Sequence, residues 1–586
     1  MSPNGIIDRP QFAFEVLEGA GADADFGVFA FTASERISRP FDVRLTLVSR
    51  DEVKFDDVMN KEAVLAILGK ADERRYFHGI INEFSQGGRA GEFYFYQARL
   101  VPALWRLCLE QDCRIFQEKK VVEIVQEVLE EGGITSDRSV IPKKLKDDYQ
   151  LKTYCVQYRE TDLNFISRLL EEEGIFYFFE HSKEKHVLIL GDDPVSYKAI
   201  EGKNQVPYND AESMVPKEDF ISVFNVSRRV HTGKVTIKDY NFETPSVDLT
   251  EKSVQDPFKN LEVYDYPAEY GEQEVGKKIA KVRLEESTMF YEKAEGKSDC
   301  PRFIPGFTFK LTDHPRDQDS ENWNQEYLLV DVTHRGTQPQ VLEQHAAVGG
   351  TEYSNEFLCI KSTVPFRPER NTPKPVVEGV QTAIVVGAKG EEIYTDKHGR
   401  VKVQFHWDRK GSKDEKSSCW IRVGQVWAGR QWGAMFIPPP YNPEKYKTKS
   451  TIKSNTTPDA QGFNEIRFED KKGEEQLFVR AQKDLEFRTK HDRKEIVENE
   501  SHLIVRVDQV EKVEGEKHLT VSSDHNEKVD GTISIEAGQD LQEKVGGKHA
   551  LDAAQEIHLH AGVKVIIEGG TQVSLKVGGN FVDIGP

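Results

Sequence analysis

A few groups of residues have the types and spacing to do chemistry. Glu171, Glu172 and Glu173 close a helical segment ahead of His181. Carboxylates near an imidazole are the material of general acid–base work. Gly296-Lys297-Ser298 resembles the end of a phosphate-binding loop, but Tyr291 stands where that loop needs glycine. His406-Trp407-Asp408 offers a polar triplet, and Cys108 with Cys113 is the one close pair among six cysteines. Each has a plainer reading: a solvated helix end, no nucleotide site, alternate faces of one strand, and buried thiols with no second pair to complete a metal site. Neither G-x-S-x-G nor H-E-x-x-H occurs. We therefore assign no catalytic residue and no cofactor, and read the chain as a non-enzyme. His525 and His549 remain. They share one position of a repeat, so three chains around an axis would present each imidazole three times, a geometry suited to a metal or an anion. The plainer reading is side chains that lean outward or bond buried water.

The repeat positions those histidines. Eleven residues fall on one period of eight: Val497, Val505, Val513, Val521, Val529, Ala537, Val545, Ala553, Ala561, Gly569 and Val577. All are small and apolar, and glycine recurs two places later at Gly515, Gly531, Gly547 and Gly579. A helix cannot hold this register, because its apolar stripe follows a period near 3.6. Short strands can, with odd positions facing one way. A second column (Leu503, Leu519, Ile535, Leu551) and a third (Ile533, Leu541, Ile557) share that face, while even positions are mostly polar. Long runs of fixed period indicate a stacked, one-dimensional architecture. One chain alone would leave open strand edges, and a closed trimer removes them. The tail is expected to be a stiff β-rod, with the glycines easing its turns.

Length and charge bound the rest. A chain of 586 residues exceeds a single core, so three or four domains are expected. A net charge of −20 argues against general nucleic-acid binding. No stretch approaches a membrane span, and the N-terminus lacks a basic-then-apolar signal pattern, so cytoplasmic synthesis without a conventional export signal is expected. Residues 1 to about 370 are strand-rich, with helices predicted over 121–131, over the segment following Thr161 as N-cap up to Gly174, and over roughly 273–286. Residues 364–378 hold four prolines and read as a linker. The block after it has four tryptophans within 26 residues, from Trp407 to Trp432, and suggests a small β-barrel. Lys397, His398, Arg400, Lys402 and Arg409 are locally basic, but a structural role is favoured over ligand binding. Residues 440–465 read as loop.

Longer motifs carry a resemblance. DCRIFQ (112–117), QYRETDLNFISRLLEEEGIFYFFEH (157–181), EEIYTDKHGRVKVQFHWDR (391–409), CWIRVGQVWAGRQWG (419–433) and VGGNFVDIG (577–585) resemble the valine–glycine repeat (VgrG) spike proteins of type VI secretion, which are similar to the fused hub and spike of contractile phage tails. The resemblance implies a mainly β, multidomain homotrimer. It implies a tail-hub-like domain of two barrel-like subdomains with helices over 1–370, an OB-type barrel over 371–440, a linker and prism start over 441–480, and an intertwined triple-stranded β-helix over 481–586. Implied partners are an Hcp-type hexameric tail tube, baseplate proteins, a PAAR-type tip protein, effectors or their adaptors, and a target membrane touched in passing, with no nucleic acid. Assembly in the cytoplasm and delivery by secretion follow from the same resemblance. Departures lie after Phe436, where a barrel segment expected from the family is missing, and at Pro586, where relatives run on. The rival readings are a contractile phage or bacteriocin spike, and a secreted β-helix glycan hydrolase.

Overall fold

The computed structural model describes residues 11–70, 74–140, 145, 149–209, 218–316, 321–342, 350–391, 394–424, 427–429, 432–435, 447–456 and 461–584. The chain divides into two compact units, Met1–Glu486 and Phe487–Pro586.

Alternating strands of the first unit close two rings. The first runs Phe12–Val16, Glu62–Leu68, Arg74–Ala90, Phe93–Val101, Asp42–Ser49 and Gly27–Arg36, and returns to its start through Ala13 opposite Gly27. Period-two strands such as Asp42–Ser49 send Val43, Leu45 and Leu47 inward and leave Arg44 and Thr46 outside. The second ring runs Ile221–Arg228, Glu292–Ser298, Glu352–Lys361, Glu326–Thr337 and Phe307–Thr312, then the short Gln205–Pro207. A bridge from Tyr208 to Ile221 completes it. The rings share a seam, in which Gly27–Arg36 pairs antiparallel with Glu326–Thr337 from Ala30 opposite Thr337 to Arg36 opposite Asp331.

Between the rings in sequence lies a helical piece that packs into the first ring's core. Helix Val121–Glu131 buries Val121, Ile124, Val125, Val128 and Leu129, the stripe read from the sequence. Helix Asp162–Glu173 starts at Thr161, whose hydroxyl accepts from the Asn164 N–H at 3.2 Å. It stops at Gly174, in the left-handed region at φ 72°. A side chain there would also press on Val282, 2.6 Å from an added Cβ. The hairpin Phe176–His181 and His186–Gly191 follows. An insert in the second ring builds its own small core: strands Lys234–Asp239, Leu249–Val254 and Glu262–Asp265 lie against helix Gln273–Thr288.

Beyond the linker the described residues do not close a ring. Ala383–Val386 pairs with Lys402–Phe405. Trp427–Gly429 and Trp432–Met435 instead join Lys449–Asn455, Phe463–Glu469 and Gln476–Arg480 in a five-stranded antiparallel sheet. The stretch read as loop over 440–465 therefore contains the strand Lys449–Asn455. Its sequence KSTIKSN has one apolar residue, so the strand is specified by its long ladder with Phe463–Glu469 and not by its own pattern. The segment expected to be missing after Phe436, like Pro586, lies outside the described residues.

Among its described residues the second unit has no hydrophobic interior. Between 482 and 571 the backbone runs extended and bends at residue pairs 482/483, 490/491 and so on to 570/571, twelve bends at intervals of eight. The octad is thus a feature of the backbone as well as of the side chains. A hairpin, Val573–Val577 with Asn580–Ile584, follows.

Candidate association surface

The five-stranded sheet in the first unit has its chemistry the wrong way round for a free-standing sheet. Ile452, Ile466 and Val479 face one another across three strands, with Phe468 opposite Leu477 beside them. All five are more than 40% exposed. The opposite face holds Thr451 and Glu465, both buried, with the Thr451 hydroxyl 3.0 Å from Glu465 Oε1. Water-facing isoleucine and phenylalanine above buried threonine and glutamate mark a face that another surface covers.

The octad columns repeat this on a larger scale. Val497, Val505, Val513, Val521, Val529 and Val545 are each 45–50% exposed, a narrow band that follows from their identical place in each repeat. Val577, on the terminal hairpin, is 78% exposed. The second and third columns are more open still. No strand ladder forms among the described residues from 481 to 572. Backbone N–H and C=O groups there face water, and a pairing partner is what an extended, apolar-sided chain lacks.

The glycines need a correction. Gly515, Gly531 and Gly547 do fall at bends, but none has a left-handed backbone, and an added Cβ would meet nothing within 4 Å. Val507 and Val563 occupy the same second place of other bends. Glycine is therefore not required for the turn within one chain. Gly579 sits in the terminal hairpin turn, where Gly578 takes the positive φ.

His525 and His549 are exposed, and His549 Nε2 lies 3.8 Å from Glu543. Among the described residues of the single chain, no group of three or more His, Cys, Asp or Glu is placed to hold a metal. The remaining candidates resolve into structure. Glu171 accepts from the Thr372 N–H and hydroxyl, and Glu172 pairs with Lys152, both away from His181. Gly296-Lys297-Ser298 ends a strand. His406 and Trp407 form the turn after Lys402–Phe405 and Asp408 follows it, so the three do not share a strand; Asp408 accepts from the Lys410 and Gly411 N–H groups. Cys108 and Cys113 are half-buried, not buried, and all six thiols are free. Three of the basic residues are spent on this chain's own acids, His398 on Glu243, Arg400 on Asp396 and Arg409 on Asp112, and Lys402 donates to the Glu415 carbonyl.

One cluster escaped the sequence entirely. Glu35, Arg75, His78, His181, His186 and His334 meet at the seam of the rings and the hairpin, all buried. Arg75 donates to Glu35 at 2.6 Å, and His181 Nε2 lies 3.1 Å from the other oxygen. His181 Nδ1 accepts from the His78 N–H at 3.1 Å. His186 Nε2 accepts from the Ala103 N–H at 3.0 Å, which leaves its Nδ1 to donate to His78 Nδ1, 3.0 Å away. This chain of donors closes only with neutral imidazoles. Burial lowers His78 to about 4, against the pull of Glu62, and lowers His334 to about 3. Burial also lowers His181 and His186. Burial alone would raise the Glu35 carboxyl, but Arg75 and then His181 hold it down near 2. The members are spread from residue 35 to 334 with no common spacing, so no local pattern announces them.

Comparison with known proteins fits these surfaces. Residues 34–340 match the phage tail baseplate hub family. Residues 450–560 match the bacteriophage T4 gp5 C-terminal trimerisation domain, so the exposed apolar ladder of the sheet and most of the octad lie within it. The type VI secretion system spike protein VgrG1b of Pseudomonas aeruginosa is 36% identical, over 78% of this chain and 66% of its own length. VgrG1a of the same organism is also 36% identical, over 80% of this chain and 76% of its own. VgrG3 of Vibrio cholerae is 35% identical over 77% of this chain and 46% of its own length, so the chain spans only part of several relatives. In three dimensions, an Escherichia coli type VI secretion component described as similar to the T4 tail proteins gp27 and gp5 superposes with a TM-score of 0.52 at 20% identity. That match covers 70% of this chain and 94% of the other, and supports the fold.

Proposed function

Because the chain belongs to the VgrG family of type VI secretion spike proteins, we propose that it acts as a homotrimeric, non-enzymatic spike that transmits force. The observation that carries this reading is the ribbon of twelve evenly spaced bends whose three apolar columns find no cover in their own chain. Three such ribbons wound together bury the columns and pair the backbone between chains, so the rod's stability becomes inseparable from trimer formation. Charged even positions keep its surface wet. The division into hub (1–370), barrel-like segment (371–440), prism start (441–480) and rod (481–586) belongs to the same reading. Two rings per chain support a further step: three chains carry six rings, and six meet a hexameric tube of Hcp type without a symmetry mismatch. A PAAR-type tip, effectors or adaptors, baseplate proteins and passage through a target envelope complete the proposed setting.

Valine and glycine columns are proposed as packing positions, and His525 and His549 as ordinary rod residues. A stoichiometric ion in purified trimer by elemental analysis would reassign the histidines. The test of the whole is solution mass by light scattering. A trimer for the intact chain, lost on ending the chain at residue 486, is expected. A monomer of the intact chain at micromolar concentration would sink the intertwined rod.

A further inference from the structure

A cleft of about 670 Å³ opens where the hub, the proline-rich strap that follows it and the strand pair beyond meet. Its size suits one small organic molecule. Strand Cys155–Thr161 and helix Asp162–Glu173 supply the hub wall through Val156, Tyr158 and Leu169. Pro375 and Val377 come from the strap, and Phe405 and Trp407 from the strand pair and its turn. These walls are held in place without a ligand. Arg367, at the start of the strap, donates to Glu285 at 2.8 Å and to the Gly174 carbonyl at 3.0 Å. Thr372 binds Glu171, and Lys374 meets Glu269 at 2.6 Å. Trp407 stacks on Phe405, with ring centres 5.0 Å apart and planes 14° apart, and meets Tyr158 edge to face at 5.5 Å.

The charged groups of the cleft are matched within the chain, and that selects the ligand. Lys152 pairs with Glu172 and Glu173, at 3.3 and 3.6 Å. Lys374 donates to both oxygens of Glu269, and Arg168 to both oxygens of Glu160. Every cation lining the cleft thus faces a carboxylate, and Glu172 and Glu269 each face a cation. A charged ligand would have to break a pair and leave a charge behind. The hydroxyls differ. Tyr154 lines the cleft, and its hydroxyl oxygen is buried with no hydrogen-bond partner among the described residues. A buried donor left unmade carries a desolvation cost. The Tyr158 hydroxyl accepts from Gln381 Nε2 at 2.7 Å, while Gln381 Oε1 accepts from Trp407 Nε1 at 3.0 Å, so the Tyr158 proton remains to be donated. The cleft therefore offers aromatic faces and hydroxyl donors, and no unmatched charge.

We infer that this cleft binds a neutral, planar, largely apolar small molecule that carries a hydrogen-bond acceptor. The ring system lies against the aromatic wall of Tyr158, Phe405 and Trp407, and the acceptor takes the Tyr154 hydroxyl. Hub, strap and strand pair all touch the bound molecule, so it braces the joint between them. The site is separate from the association surface above and does not depend on the rod reading.

The probe is prodan, a neutral planar naphthalene ketone whose emission reports polarity and hydrogen bonding. Titrated into the intact protein, it should bind saturably at one site per chain, with a Kd on the order of ten to a hundred micromolar for so small a ligand. Its emission should move to the blue and the hub's melting temperature should rise. Val377 is 46% exposed at the cleft, so Val377→Trp fills the space without disturbing a core and should abolish binding. Trp407→Ala should weaken binding about tenfold or more, as loss of an aromatic anchor does. Tyr154→Phe should weaken it by about threefold to tenfold and move the bound emission further to the blue, a signature that a merely structural hydroxyl would not give. Unaltered melting of the ligand-free variants shows that the joint is intact. In competition, neutral acetonaphthone should displace the probe, with naphthoate and naphthylmethylammonium about tenfold less effective. No saturable binding, equal displacement by either charged analogue, affinity unmoved by Val377→Trp, or affinity and emission unmoved by Tyr154→Phe would each overturn the proposal.

Discussion

Valine serves opposite ends in the two compact units. In the hub Val28, Val43, Val121, Val125 and Val128 are wholly buried. In the second unit the valine column stands half in water. The residue type and its hydrophobic gain are the same, so the difference lies in what surrounds it. Each ring of the hub returns to its own first strand and supplies its own cover. The octad ribbon bends every eight residues but never returns to itself. A fold can thus be complete in one chain for one region and only one third written for another.

The largest expected effect breaks that contrast outright. Ending the chain at residue 486 removes the ribbon and should turn a trimer into a smaller species with the hub's melting transition intact, by light scattering and calorimetry. A truncated chain that remains a full trimer would place the association elsewhere. Next in size is Val521→Asp, which puts one carboxylate per chain into a column that only assembly buries. Each uncompensated buried charge costs several kcal/mol, so the trimer should dissociate or melt far earlier in sedimentation and thermal scans. Lys528→Ala, an even position whose side chain is 89% exposed, is the control and should leave both unchanged.

The hub should fail for a different reason, through its polar seam. Arg75→Met leaves the Glu35 carboxylate buried without its cation, a loss of about 3–5 kcal/mol, visible as a lowered hub transition with the trimer's mass preserved. Acid works on the same residues. For His78 and His334 the folded values, about 4 and about 3, lie below the unfolded 6.5. The unfolded chain therefore takes up protons first, and stability falls as pH drops below 6.5. The loss continues to about 4 for His78 and about 3 for His334, at about 1.4 kcal/mol per pH unit for each. Glu35, lowered from 4.5 to about 2, adds a loss of the same sign below 4.5. Hub melting between pH 7 and 5 should show this slope, and His78→Gln with His334→Gln should reduce it, with His181 and His186, also lowered by burial, keeping a remainder of the same sign. A slope unchanged in that double variant would remove the histidines from the account.

What the sequence showed and what it hid divide along physical lines. Helix Val121–Glu131 and the cap at Thr161 were legible, because a helix writes its stripe and its ends within a dozen residues. The octad was legible because repetition sums a weak signal over twelve bends. Strand Lys449–Asn455 was not, since its pairing with Phe463–Glu469 is a tertiary fact. The seam was hidden further still. Glu35 and His334 meet only because two rings share a ladder, and nothing near either residue announces the other.

The smallest expected effect sharpens the comparison at the one place where sequence and structure disagreed about cause. Glycine at Gly515, Gly531 and Gly547 invites the view that the bend needs it. Yet the bend at Gly531 has no left-handed φ, and an added methyl finds open space in the chain. Val507 and Val563 make the equivalent bend with branched side chains, 87% and 100% exposed. Gly531→Ala should then be tolerated, shifting trimer stability by less than about 1 kcal/mol per chain, with a gain as acceptable as a loss because alanine also restricts the unfolded chain. A trimer that instead melts many degrees lower would show that the glycine keeps room for a neighbouring chain. The bend would then be governed, like the valine column, by copies of the chain and not by the chain itself.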